Sequence, residues 1–202
     1  MHLACTRYLT CMHTGDRSAD AIDAGGVLPG YQGVIVRDGY AGYRHLTSAL
    51  HAWCGVHLLR DLKGVYDFEP SQQEWASQMA ALLIEARDAA AAARLAGQSV
   101  LDAAVLDDLL TRYRALATAG LAANLYRRTA TAKDARRFGS FEDLILRFAT
   151  RPDLDIFSNN EAGRTIRPVK VQQRGSGGCW RTLEGLAEFA LVQCRVAPVH
   201  CC

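Results

Sequence analysis

The sequence predicts an α/β fold that carries a large helical segment. Short runs of β-compatible residues at 3–6, 8–12 and 33–38 alternate with short helical stretches, which is typical of a layer built around a central sheet. From about 57 to 150 the apolar residues instead recur at helical spacing. Half of the 202 residues are hydrophobic, so the chain can bury a substantial core.

The strands are interrupted by short helices in the first part of the chain. Three consecutive branched apolar residues within 33–38 predict a strand that is buried on both faces and ends at Asp38. Ser18 is predicted to cap a short helix before it. A second short helix is expected over residues 40–50, followed by the apolar stretch 52–56.

The middle of the chain predicts two long helices that pair as a hairpin around residues 96–99. Trp75 and Met79 lie on one apolar helix face, and Leu109 and Tyr113 lie on another. Antiparallel pairing would bury the two faces against each other.

Positive charge is concentrated in the later part of the chain. Residues 127–181 contain twelve Lys or Arg against six Asp or Glu, although the whole chain has a net charge of only +2. This is the region where a nucleic acid is expected to bind. Its first part, 127–137, is predicted to be an exposed loop, Ser140 is predicted to cap the next helix, and a final helix is expected over 182–193.

Composition also narrows the class of protein. The seven cysteines are odd in number and scattered, which favours reduced thiols over the disulfide framework of a small secreted domain. The apolar runs are shorter than a membrane span, and the first residues do not have the pattern of a secretory signal. A cytoplasmic protein without membrane association is expected.

Three segments together resemble one protein family. They are Leu-Pro-Gly-Tyr-Gln-Gly at 28–33 with Val-Arg-Asp-Gly-Tyr-Ala-Gly-Tyr at 36–43, Cys-x-x-His-x-x-Arg at 54–60, and Asn-Asn-Glu-Ala-Gly-Arg-Thr-Ile-Arg-Pro-Val-Lys at 159–170. With them the chain resembles the DDE transposases of the insertion-sequence family numbered sixty-six. The resemblance extends from about residue 2 to residue 193.

The resemblance implies an RNase H-like core that is incomplete, with its first strand missing, and truncated at both ends. Residues 1–58 and 154–193 would form the two parts of this core, and residues 59–153 would be a large helical insertion. Residues 194–202 depart from the family pattern as an aberrant tail, explained either by a frameshift or premature ending of a longer reading frame, or by a metal-binding tail rich in cysteine.

For chemistry, the resemblance implies metal-dependent cleavage and transfer of DNA strands. Two Mg²⁺ ions, or Mn²⁺ in their place, would lie roughly 4 Å apart between three carboxylates and stabilise the attacking and leaving oxygens. Asp38 stands at one motif position, where it would be a catalytic residue and metal ligand. The alternative is that Asp38 only caps the helix expected to follow it.

The other two carboxylates are not at their motif positions. The family Glu stands seven residues before the basic residue that corresponds to Lys170, and this position is Gly163. Glu161 is either a surrogate ligand or a solvated surface residue, since it lies about 200° around a helix from that position. The first Asp is expected on a strand upstream of the chain. We therefore expect weak metal binding and impaired catalysis.

The remaining motif residues have supporting roles in the resemblance. Arg164, Arg167 and Lys170 would contact DNA phosphates, or else form a solvated basic face. Outside these motifs, Trp180 would stack on a flipped base or fill the core. A separate group, comprising Cys54, His57 and Arg60, is read either as two zinc ligands or as a structural pair in which His57 is hydrogen-bonded near Asp38, with Arg60 beside it.

Two functions are therefore carried forward. The first is a transposase fragment for DNA transposition that binds DNA at transposon ends and whose strand cleavage and transfer are impaired. The alternative is a non-catalytic DNA-binding or interaction protein that associates with an intact transposase. Homo-oligomers or association with such a transposase are the expected protein contacts.

Overall fold

A computed structural model describes residues 2–6, 9–16, 18–175 and 182–196, which divide into two compact units. The first unit comprises Met1–Val34, Gly39–Leu50 and Asn159–Cys202. The second comprises Ile35–Asp38 and His51–Ser158. Most described residues are helical, and the few strands form two small sheets.

The helices and strands follow one another along the chain in this order: β1 (His2–Cys5), β2 (Leu9–His13), α1 (Ala19–Asp23), β3 (Val34–Arg37), β4 (Leu50–Trp53), α2 (Gly55–Phe68), α3 (Glu74–Leu95), α4 (Ala103–Ala123), α5 (Ala130–Ser140), α6 (Glu142–Ile145), α7 (Arg147–Thr150), α8 (Asn160–Gly175), α9 (Leu183–Gln193) and β5 (Arg195–Val196). The predicted mixture of α and β structure is confirmed.

The first unit is built on an antiparallel sheet in the order β1-β2-β5. Leu3 of β1 lies opposite Met12 of β2, which places these two apolar side chains on the same face of the sheet. Met12 is buried with Ala190 of α9, and Ile166 of α8 packs against the same cluster. Helices α8 and α9 are therefore held on the sheet by a small apolar core.

One short helix of this unit was predicted correctly and another was not. Ser18 caps α1, since its hydroxyl accepts a hydrogen bond from the backbone N–H of Ala21 at 3.1 Å. The helix predicted over 40–50 is wrong. Only a single 3₁₀ turn forms, at Ala41–Tyr43, because Gly42 weakens the helix and no side chain caps its start.

The strands β3 and β4 form a separate, two-stranded sheet, so the prediction of one central sheet is wrong for the described residues. The backbone N–H of Leu50 bonds to Gly33 O at 3.0 Å, and that of Cys54 bonds to Arg37 O at 2.8 Å. Both strands thus advance in the same direction, which makes the pairing parallel. The first three residues of β3 are half-buried instead of fully buried, because within the described residues β4 is the strand paired with β3.

The helical prediction for the second unit is confirmed. Helices α3 and α4 form the predicted hairpin, and Gly97 in the connection has a φ of 70°. The core of the unit contains fully buried side chains from α2 to α6: Leu62, Met79, Leu82, Leu83, Tyr113, Phe138 and Ile145.

Two predictions for the basic segment are wrong. Residues 127–137 are not an exposed loop, because most of them belong to α5. Ala132, Ala135 and Phe138 give this helix a buried apolar face, and the Thr129 hydroxyl caps its start. Ser140 does not cap the following helix but ends α5, and α6 and α7 are single turns after it.

The final helix is confirmed as α9, whose first turn is capped by the Thr182 hydroxyl at 3.0 Å from the backbone N–H of Gly185. The tail begins with β5, which pairs with β2. Trp180 and residues 197–202 lie outside the described residues. In the described part of the chain, no helix is long and apolar enough to cross a membrane.

Candidate functional site

One group of candidate residues lies at the carboxyl ends of the two parallel strands. Asp38 follows β3 directly and is half-buried, and Cys54 follows β4 and is buried. The hydrogen bond from Cys54 N to Arg37 O joins the two ends, and α2 starts at Gly55. The carboxyl edge of a parallel sheet, next to a helix N-terminus, is a common place for polar ligand contacts.

Arg37 is the residue at this edge whose contribution the sequence interpretation missed. It is 5% exposed, and its Nη1 donates to the carbonyl oxygen of Asp38 at 3.1 Å. Its Nε donates to Nδ1 of His51 at 3.1 Å, and Arg147 Nε donates to the His51 carbonyl oxygen at 2.8 Å. A buried guanidinium thus fixes the backbone at Asp38. The signal was a charged residue at the end of an otherwise apolar strand.

The Cys-x-x-His-x-x-Arg segment forms the entry to α2. The Cys54 side chain is buried, His57 is half-buried in the first turn, and Arg60 is exposed. Nδ1 of His57 is buried and makes no hydrogen bond with any described residue, so the hydrogen bond expected for His57 is not made by this atom. The packing is tight here, because a Cβ on Gly55 would come within 2.4 Å of the Phe157 ring.

The other group of candidate residues lies on the solvent face of α8. Ala162, Thr165 and Ile166 are half-buried on the inner side, whereas Arg164 and Arg167 are exposed. Lys170 lies on the same helix, seven residues and close to two turns after Gly163. The two described guanidinium groups can therefore reach an anion in solvent without any rearrangement of the core.

Glu161 also lies on this helix and is exposed. Its carboxylate is 3.5 Å from Nη1 of Arg164, whose side chain is 73% exposed. An ion pair this exposed contributes at most about 0.5 kcal/mol, so it does not hold either side chain firmly. Burial, together with the negative charge of Glu161, raises the pKa of the nearby Cys5 thiol.

Gly163 lies in the regular part of α8, where its backbone N–H bonds to the carbonyl of Asn159 at 3.1 Å. It is exposed, and a Cβ built on it would meet no atom within 4 Å. The position that would carry the family carboxylate is thus open to any side chain. The absence of a side chain here is a property of the sequence and is not required by packing.

The candidate residues are distributed over both units. Asp38, Cys54, His57 and Arg60 belong to the second unit, and α8 belongs to the first. Within the described ranges, no three side chains of His, Cys, Asp or Glu come together as a metal site. A complete set of carboxylate ligands for a metal pair is therefore not found among the described residues.

The comparison with known protein families decides the family. Residues 1–187 match the family described as Transposase IS66 family. The chain belongs to the IS66 family of transposases. A search of curated proteins and a search of solved structures gave no match. The expected family is thereby confirmed, and IS66 membership indicates a role in transposition and implies binding to DNA.

Proposed function

We propose that this IS66-family chain binds DNA as part of transposition and is impaired in metal-dependent strand cleavage and transfer. Gly163 is the observation that carries the proposal. Its position on α8 is solvent-exposed and open, yet it has no carboxylate with which to hold a metal ion. An acidic ligand set short of one carboxylate binds Mg²⁺ poorly, because Mg²⁺ gives up its water only to well-placed anionic oxygens.

Asp38 is the proposed ligand of a weakly held Mg²⁺ or Mn²⁺. Its half-buried position at the end of β3 and the hydrogen bond from buried Arg37 to its carbonyl oxygen support this role. Burial restricts the side chain and the hydrogen bond fixes the backbone that carries it, so few conformations would be lost on binding. Glu161 is a poorer candidate, because its carboxylate is exposed and faces Arg164.

Arg164, Arg167 and Lys170 are the proposed DNA-binding residues of α8. Exposed guanidinium groups form bidentate hydrogen bonds with phosphate, and such contacts bind DNA without reading its sequence. The exposure of Arg164 and Arg167 on one helix supports this assignment.

The domain organisation is proposed as an RNase H-like core with a helical insertion. Residues 1–58 and 154–193 would form the core, and residues 59–153 would be the insertion. The parallel pair β3 and β4 supports a sheet in the core, and the succession of helices α3 to α7 supports the insertion, whereas the compact units group residues 35–38 and 51–58 with these helices.

A plasmid-nicking assay tests the proposed impairment. The full chain is incubated with supercoiled plasmid and Mg²⁺ or Mn²⁺, beside Asp38→Ala and Gly163→Glu. We expect the wild type to nick no more than Asp38→Ala. Gly163→Glu is expected to raise nicking with Mn²⁺, since the position accepts a side chain without collision. Robust wild-type nicking that is lost in Asp38→Ala would refute the impairment.

The alternative function, association with an intact transposase, is favoured by exposed apolar residues in the second unit. Tyr126 is 94% exposed, and Phe68 and Leu125 are also exposed. The ion pair between Arg127 and Glu69, at 2.6 Å, brings the segments after α4 and α2 together. Isolated exposed apolar side chains are ordinary, but several at one place indicate an interface.

Coexpression with an intact IS66-family transposase tests the alternative. If the chain hetero-associates, it should lower transposition frequency and co-elute with the transposase in size-exclusion chromatography. Phe68→Ser combined with Tyr126→Ser should relieve both effects. Unchanged transposition and separate elution would exclude this function.

A further inference from the structure

The second unit carries exposed positive charges on and beside α2 and α5 that pair with no carboxylate of the unit. Within residues 35–38 and 51–158, four exposed cations have no carboxylate within ion-pair distance: Arg60, Arg128, Lys133 and Arg136. Three of them lie on α2 or α5, and Arg128 lies just before α5. The uncompensated charge is therefore concentrated along one pair of helices.

The other cations of the unit are neutralised or used internally. On the α3–α4 side, Arg112 pairs with Glu85 at 2.6 Å and Arg114 pairs with Glu142 at 2.8 Å. Both arginine side chains are partly exposed, but each guanidinium already forms an ion pair with a carboxylate. Arg112 and Arg114 are therefore cations whose charge is already paired within the unit.

Helices α2 and α5 are held together by a separate ion pair. Arg137 of α5 bonds to Asp61 of α2 at 2.7 Å and lies 3.4 Å from Asp134. It also stacks over the Trp53 ring, 5.5 Å from the centroid. Asp61 and Asp134 thus form their ion pairs with Arg137, and neither carboxylate lies within ion-pair distance of the outer cations, although Lys133 acts on Asp134 at longer range.

The geometry of each helix directs the unbalanced cations to solvent. On α5 the buried residues are Thr131, Ala132, Ala135 and Phe138, which leaves Lys133 and Arg136 three residues apart on the exposed side. On α2, Arg60 lies away from buried Leu58 and Leu62. Cations arranged in this way suit a polyanion with regularly spaced charges.

We propose that the α2–α5 face, defined by Arg60, Arg128, Lys133 and Arg136, binds the phosphate backbone of duplex DNA. It is a second DNA-binding surface, on a different unit from α8, and it lies within the helical region proposed as an insertion. The inference rests on the proposed function in taking DNA as the polyanion. The face contacts phosphates and not base edges, so its binding does not depend on sequence.

Salt-dependent binding to a short fluorescent duplex tests the inference with the full chain. Lys133→Gln combined with Arg136→Gln removes two charges and keeps good helix formers on the exposed side of α5. We expect the affinity to fall about tenfold and the slope of log K against log salt to decrease by about 2, as for two lost phosphate contacts. Adding Arg60→Gln should lower the affinity and the salt slope further.

Arg112→Gln combined with Arg114→Gln is the matched control, because it removes the same charge from cations that already have partners. Circular dichroism of each variant establishes that the helices are retained. If the control lowers affinity as much as the α5 variant does, net charge explains the result and the inference is overturned. Full affinity in the α5 variant also overturns it, which is the outcome expected if this face binds an acidic protein.

A third variant, Arg164→Gln with Arg167→Gln, separates this inference from the proposed function. Loss of affinity in the α8 variant together with full affinity in the α5 variant would remove the second surface and leave the proposed function intact. If the wild type binds no duplex DNA at low salt, both the second surface and the proposed function are refuted. Losses in both variants, without loss in the control, support two surfaces.

Discussion

At the residue scale, two helical glycines have opposite surroundings. A Cβ at Gly163 would meet no atom within 4 Å, whereas a Cβ at Gly120 would come within 2.7 Å of the Trp75 indole. The first glycine is therefore open to a side chain. The second permits α4 to approach α3 closely, with Trp75 packed directly on its backbone.

This contrast gives a paired stability prediction. Gly163→Ala should stabilise the first unit by about 0.5–1 kcal/mol, because alanine loses less conformational entropy in a helix. Gly120→Ala should destabilise the second by about 1–3 kcal/mol through overpacking against Trp75. Urea unfolding followed by circular dichroism measures both. Destabilisation by Gly163→Ala would show that α8 needs a glycine at this position.

A pH-dependent contribution is expected from His45. Nε2 of His45 lies 2.7 Å from a carboxylate oxygen of Asp23, and this hydrogen bond raises the pKa of His45 in the folded state. A raised folded pKa means that the interaction stabilises fully below the unfolded value of about 6.5. The stabilisation is lost as pH rises through the folded pKa.

The size of this effect is at most about 1 kcal/mol, because the pair is partly exposed. His45→Gln should therefore reduce the free energy of unfolding in acid and leave it unchanged at alkaline pH. NMR titration of the His45 ring should give a pKa above that found in Asp23→Asn. Equal ring pKa values in the two proteins would rule out the ion pair.

At the scale of elements, α3 and α4 are joined by a buried amide pair. Gln73 Nε2 donates to Asn124 Oδ1 at 3.1 Å, and Asn124 Nδ2 donates to Gln73 Oε1 at 3.0 Å. Trp75 Nε1 donates to the same Gln73 oxygen at 2.7 Å. The pair satisfies two buried polar side chains at the ends of the long helices.

Removing one partner of this pair should be costly. Asn124→Ala leaves the buried Gln73 amide without its reciprocal partner, so we expect a loss of about 2 kcal/mol. Gln78→Ala, on the exposed side of α3, should change stability by no more than about 0.5 kcal/mol. Urea unfolding of each variant gives the free energies of unfolding that are compared. If the losses from Gln73→Ala and Asn124→Ala add fully in the double variant, the two amides are not coupled.

At the scale of the whole molecule, the second unit holds most of the side chains that are fully buried among the described residues. Helix α3 contributes Met79, Leu82 and Leu83 to this set, and α4 contributes Tyr113, whose hydroxyl donates to the Phe138 carbonyl oxygen at 2.8 Å. Backbone amides within such a core exchange with solvent only when the core opens.

Hydrogen exchange measured by mass spectrometry should therefore be slowest in peptides from the centres of α3 and α4. Peptides from α1, which has five residues and one buried side chain, should exchange fastest among the helices compared. Exchange in α3 as rapid as in α1 would mean that the helical core is not cooperatively folded.

Much of the architecture could be predicted from local patterns. The α3–α4 hairpin followed from apolar spacing, α1 followed from the Ser18 cap, and α9 was expected over residues 182–193. The 40–50 helix was wrong because a short apolar segment does not distinguish a helix from a turn that leads into β4. Residues 127–137 were misjudged because their charges were read as solvent exposure, although Arg137 carries its charge inward to Asp61.

Residues of the candidate site could be predicted only where they belong to a family motif. Asp38 and Gly163 could be located from the family pattern, and Arg37 could not be assigned a role, because its hydrogen bonds to Asp38 and His51 depend on how β3 and β4 pair. The same holds for the α2–α5 face. Which cations are neutralised depends on partners far away in sequence, such as Glu142 for Arg114.

By itself, the sequence determined the family, the helical middle of the chain and the glycine at the position of a motif carboxylate. Each of these depends only on residue identity and spacing. The tertiary structure alone decided that the described strands form two small sheets, that Arg37 is buried beside Asp38, and which positive charges remain unbalanced. Strand pairing and charge neutralisation are made between residues distant in sequence, so no local pattern specifies them.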